Sequence, residues 1–150
     1  MNYFKIFDIT PNLDLCPKKL EEKYLDLQLQ FHPDLLINKS IKEQENSKTQ
    51  SSNINNAYEI LQDPLKRAIH LLEINNIFID SIGPDNMLLM EIMEIKEDLE
   101  GSDLNKIKII KQDLEKRKNN LYQEIIKLTN QNLILEASKK IILLKYLSNI

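Results

Sequence analysis

The chain holds two glycines and five prolines among 150 residues. That is too few for the tight turns of an all-β fold, and no segment sustains the period-two alternation of strands. Tryptophan is absent and cysteine occurs once, as Cys16. A lone thiol excludes an intramolecular disulfide, a Cys-x-x-Cys redox pair and any cysteine-built zinc or cluster site within one chain. Apolar runs are too short to cross a bilayer, so no membrane role is expected. Residues 1–8 lack both the apolar core of a signal peptide and the Arg-rich, acid-poor character of a transit peptide. With Met1 at the start, a reducing bacterial cytoplasm is the expected location. Excess charge of one sign is missing too. The net charge is −3, with 9 basic against 11 acidic residues in the first 75 and 11 against 12 in the rest. So even a spread offers no basic field for nucleic acid. The run Lys116-Arg117-Lys118 follows Glu115 and reads as a solvated helix face.

What is present is helical, and the pattern predicts an all-α chain in two lobes. A short helix or turn covers residues 3–8. A longer helix runs from Pro17 to Phe31, with Leu20, Tyr24, Leu27 and Phe31 on one face and Pro17 in the first turn, where its missing N–H costs nothing. Ser40-Ile41-Lys42-Glu43 has the form of a capping box and opens a third helix to about Leu61. Its inner face carries Ile54, Ala57, Tyr58 and Leu61. Asp63-Pro64 starts a fourth helix, with Leu65, Ala68, Ile69 and Leu72 inward. Residues 76–84, containing Gly83-Pro84, read as a connection between the lobes. A three-helix bundle then covers 85–150. Its first helix stops at Gly101, its second is capped by Ser102-Asp103 and reaches about Leu128, and its third starts at Leu133.

Two surfaces exceed what a fold requires. The first is His32-Pro33-Asp34, where Pro33 ends the helix and leaves an imidazole and a carboxylate outside the core. Catalysis does not fit these residues: the only other histidine is His70, which reads as a packed or half-exposed helix residue, and no Ser or Cys sits in a nucleophile elbow. No metal site or cofactor is expected. The second surface lies on the helix over 84–100. Turning about 100° per residue, Leu88, Ile92, Ile95 and Leu99 share one face, while Leu89, Met90, Met93, Glu94 and Glu97 cluster nearly opposite. Either another element covers that second face, or it receives a partner. The two carboxylates favour a partner, because burying unpaired charge is costly.

These residues carry a resemblance. His32-Pro33-Asp34 after a helix, followed by the run from Asn56 to Pro64 (NAYEILQDP), resembles a J-domain. Continuation through Pro64-Leu65-Lys66-Arg67-Ala68-Ile69-His70-Leu71-Leu72, with the opening Tyr3-Phe4-Lys5-Ile6-Phe7, is similar to the HscB-type co-chaperones of iron–sulfur cluster assembly. The stretch from Leu88 to Leu99 is similar to their C-terminal domain. The resemblance implies a J-domain over 1–75, a helical hairpin with short flanking helices, joined to a bundle over 85–150 that binds the scaffold protein IscU. It implies a non-enzymatic adaptor that docks on an HscA or DnaK-like chaperone, stimulates its ATPase and delivers the scaffold to it. His32, Pro33 and Asp34 are the implied chaperone contacts, with Lys18, Lys19 and Lys23 able to meet an acidic surface. Leu89, Met90, Met93, Glu94, Glu97 and Tyr146 are the implied scaffold contacts. A monomer is expected. The chain departs from the family at Leu29 and Leu35, which stand where relatives often carry basic residues, at Gly101, where an acidic residue is usual, and in a short last helix. A different client for the bundle, or self-association through its apolar face, remain open alternatives at this point.

Overall fold

The computed structural model describes the backbone of residues 1–150 and every side chain except that of Pro33. Among the described residues all regular structure is helical. The chain divides into two compact units, Met1–Ile74 and Asn75–Ile150.

In the first unit, α1 (Tyr3–Ile6), α2 (Pro17–Gln30), a 3-10 turn (Pro33–Leu36), α3 (Ile41–Gln62) and α4 (Pro64–Ile74) follow in order. Helix α3 is central and packs against α1, α2 and α4. Phe4, Phe7, Leu20, Ile54, Ala57, Leu61, Ala68 and Leu72 form the core. The α2–α3 hairpin extends beyond that core, because the first half of α3 is polar. Polar contacts hold it there instead: Tyr24 stacks on Tyr58 with centroids 4.1 Å apart, the Tyr24 hydroxyl donates to Asn55 Oδ1 at 2.8 Å, and Ser51 Oγ donates to Gln28 Oε1 at 3.2 Å. The expected caps are in place. Ser40 Oγ accepts the Glu43 N–H at 3.2 Å, and Asp63 Oδ1 accepts the Lys66 N–H at 3.0 Å.

Helix α4 buries a wider face than its apolar periodicity predicts. Ala68 and Leu72 are buried, Leu65 and Ile69 only half so, while Arg67, His70 and Leu71 are also buried. Arg67 Nε donates to the Leu61 carbonyl at 2.7 Å, and its Nη1 donates to the Leu13 carbonyl at 3.0 Å. The guanidinium thus ties the end of α3 and the α1–α2 loop to α4.

His70 does the same for α1. A four-residue helix cannot satisfy its own first N–H groups. Here the Asn2 side chain accepts the Phe4 N–H, and His70 Nε2 accepts the Tyr3 N–H at 3.0 Å. The Tyr3 and Phe4 rings stack on the imidazole at 4.7 and 5.8 Å. Burial pushes the His70 pKa below its ordinary 6.5; Glu73, whose Oε2 lies 3.7 Å from Nδ1, opposes that shift, and the nearby N-terminal amine adds to it. Protonation therefore favours the unfolded chain. This contribution is fully present above pH 6.5 and is lost progressively as the pH falls from there towards the native value. Thermal melts of the wild type between about pH 7.5 and 5 should show a falling midpoint, and His70→Gln, which keeps an acceptor for Tyr3 without a proton to gain, should flatten that part of the curve.

In the second unit, a 3-10 turn (Ile79–Ser81) precedes α5 (Asn86–Glu100), α6 (Leu104–Asn130) and α7 (Ile134–Ser148). Ile79 is buried, and Lys145 of α7 bonds Asp80 at 3.0 Å, so residues in the expected connection pack with this unit. Asp85 and Asp103 cap α5 and α6 by accepting the Leu88 and Lys106 N–H groups at 2.7 and 2.9 Å. The main seam joins α6 to α7: Leu121 and Ile125 of one and Ala137, Ile141 and Leu144 of the other are buried. Helix α5 contacts both, with Ile92 buried, Leu88, Ile95 and Leu99 half-buried, and Glu91 paired to Arg117.

Helix ends differ from expectation in one respect. Gly101 follows α5 at φ −89°, not in the left-handed region that glycine usually serves after a helix. Asparagines take that role. Asn132 has φ 58°, its N–H bonds Thr129 O and the next N–H bonds Leu128 O, which closes α6 in a Schellman motif. Asn76, just beyond α4, has φ 61°. The short side chain of asparagine tolerates this geometry better than other side chains do.

Candidate functional site

The tripeptide forms a pointed corner between α2 and α3. His32 ends the helix in extended geometry, φ −64° and ψ 138°, as a residue before proline must. Its Nδ1 accepts the backbone N–H of Asp34 at 3.2 Å, and the 3-10 turn begins at Pro33. An accepting Nδ1 carries no proton, so the imidazole proton is assigned to Nε2, which remains for an outside acceptor. The side chains of His32 and Asp34 are 53% and 83% exposed. The Pro33 side chain lies outside the described residues; its backbone opens the turn. The corner thus offers one ring donor and one carboxylate, both held by backbone geometry and both in solvent.

The three lysines named with the tripeptide divide. Lys18 and Lys19 are exposed on the first turn of α2. Lys23 is half-buried, and its ammonium donates to the Phe7 and Asp8 carbonyls at 3.1 and 3.4 Å, closing the C-terminal end of α1. Its charge serves the fold.

On α5, the five residues projected to the outer face are all exposed: Leu89, Met90, Met93, Glu94 and Glu97. Within the second unit, then, neither α6 nor α7 covers this face. Tyr146, on α7, is half-buried. No group of three or more His, Cys, Asp or Glu side chains suited to a metal ion occurs among the described residues, Cys16 is exposed, and no helix is long and apolar enough to cross a membrane.

Residues 2–70 match the DnaJ domain, and residues 84–150 match the HSCB C-terminal oligomerisation domain. The chain belongs to the HscB family of J-domain co-chaperones. An Arabidopsis thaliana protein named iron–sulfur cluster co-chaperone protein HscB homolog is 36% identical over 105 residues, covering 69% of this chain and 42% of that protein. The co-chaperone protein HscB homolog of Shewanella halifaxensis is 35% identical over 103 residues, covering 67% of this chain and 59% of that protein. The HscB-type chain thus spans about half the length of these curated relatives. Among solved structures, chaperone HscB from Vibrio cholerae matches it with a TM-score of 0.87 at 28% identity, over 99% of this chain and 92% of that one.

Sequence reasoning missed Arg67. Nothing in the apolar period of α4 marks that position, since a guanidinium buries itself only where carbonyls from distant segments converge. It also treated Lys23 as a contact residue; only the tertiary placement of α1 reveals its internal partners.

Proposed function

We propose that this HscB-family chain is a non-enzymatic adaptor with one docking surface on each unit. The first surface, His32-Pro33-Asp34 with Lys18 and Lys19 at the opposite end of α2, engages an HscA or DnaK-like ATPase and stimulates it. The Asp34 carboxylate suits a bidentate arginine on the chaperone, and the His32 Nε2–H suits a backbone acceptor. The second surface, Leu89, Met90, Met93, Glu94 and Glu97 of α5 with Tyr146 of α7, holds an IscU-type scaffold protein. Its apolar anchors supply affinity, and its carboxylates set orientation. Bringing scaffold and chaperone together in the cytoplasm aids maturation of iron–sulfur proteins.

The observation that carries this reading is the tripeptide corner: two polar side chains presented to solvent by the turn that opens at Pro33. Steady-state ATP hydrolysis by the HscA-type chaperone of the same genome tests it. The rate should rise on adding this protein and rise further on adding purified scaffold. A flat rate under both additions overturns the reading. On the scaffold side, Leu89→Ala combined with Met93→Ala should weaken scaffold binding by at least about tenfold in calorimetry, as truncation of two buried anchors does. Unchanged affinity assigns the bundle to a different client.

A further inference from the structure

The side of α2 turned away from the core carries no net positive charge and ends in two exposed leucines. Turning about 100° per residue, Lys18, Glu22, Leu25 and Leu29 fall within about 60° of one another, on the side away from Leu20, Tyr24, Leu27 and Phe31. All four are exposed, Leu25 at 52% and Leu29 at 65%. Lys18 and Glu22 are one turn apart and cancel. Lys19 and Asp26 flank one edge and cancel likewise, the exposed Glu21 flanks the other, and Lys23 is turned to the Phe7 and Asp8 carbonyls, so this side carries no net positive charge. What remains towards the C-terminal end of the helix is a pair of leucines stacked at i and i+4. The face is continuous with the tripeptide: Leu29 lies three residues before His32, whose N–H reaches the Leu29 carbonyl, and Leu35, itself 59% exposed, follows Asp34 directly.

We propose that the partner chaperone meets this face with an apolar patch surrounding the cation that receives Asp34, so that docking depends on burying Leu25, Leu29 and Leu35 rather than on long-range charge attraction. This inference rests on the chaperone docking proposed above and specifies its chemistry. A face without net positive charge creates no steering field for an acidic partner, whereas exposed leucines beside a polar anchor have the anatomy of an interface core with a polar contact at its centre. Apolar burial is not screened by salt, and rim charges are.

The test is chaperone affinity and ATPase stimulation across a salt series with the full chain. Wild-type affinity should change by less than about threefold from roughly 50 to 500 mM salt. Leu25→Asp with Leu29→Asp should lose at least about tenfold in affinity, while Lys18→Ala with Lys19→Ala, which removes two charges of the same proposed surface, should lose clearly less than that. Both positions are exposed, so circular dichroism should show unchanged helix content. A steep loss of wild-type affinity with salt, or a larger effect from the lysine pair than from the leucine pair, overturns the inference while leaving chaperone docking intact. Absence of binding at every salt concentration overturns both.

Discussion

His32→Gln should reduce chaperone stimulation to nearly nothing while leaving the fold and scaffold binding as they are. The imidazole does two things from one rigid ring. Nδ1 takes the Asp34 N–H at 3.2 Å, which fixes the start of the 3-10 turn and with it the carboxylate, and Nε2–H stands ready for the partner. A glutamine amide also carries an acceptor and a donor, but on a longer flexible stem that does not hold both at the positions fixed by the ring. Loss of the ring's hydrogen bond to the partner and of the turn's preorganisation costs on the order of 3 kcal/mol in the productive complex, roughly a hundredfold. Asp34→Asn should act in the same direction, because a neutral amide gives up the charge-assisted pair with arginine. The residue is exposed at the corner, so thermal melting should be unchanged. Full stimulation by His32→Gln would remove the tripeptide from the mechanism.

The largest stability effect is expected at Arg67. Its guanidinium is buried, with 4% of the residue exposed, and binds the Leu61 and Leu13 carbonyls from two other parts of the first unit. Arg67→Ala strands both carbonyls away from water and leaves the volume of a long side chain unfilled. Each stranded buried acceptor costs about 1–3 kcal/mol, so a loss of about 3 kcal/mol is expected. For a unit of this size that lowers the melting temperature by roughly 15 °C. Arg67→Lys keeps one donor on a flexible stem and should lose less than the alanine variant. Calorimetric melts of the three proteins check the order. An alanine variant as stable as the wild type would show that water replaces the guanidinium at both carbonyls.

The partner of His32 is two residues away, whereas Arg67 reaches Leu13 from far along the chain, and there sequence and structure part. Helix positions were legible because their causes are local: Pro17 and Pro64 at first turns, Ser40, Asp63 and Asp103 as caps, and a 3.6-residue apolar period. The tripeptide corner was legible for the same reason, since a proline constrains the residue before it whatever the surroundings. The outer face of α5 followed from angular arithmetic alone.

Tertiary structure decided what periodicity cannot encode. It placed Arg67 inside, gave His70 the Tyr3 N–H as its partner, turned Lys23 towards two carbonyls, left Leu25 and Leu29 in solvent, and gave left-handed helix ends to Asp8, Asn76 and Asn132 instead of Gly101. The physical reason is the range of the forces. Capping, proline constraint and amphipathic spacing act within a few residues and are written in the order of the chain. The partner of a buried donor, and whether a leucine meets a neighbour or water, depend on which distant segments arrive at the same place.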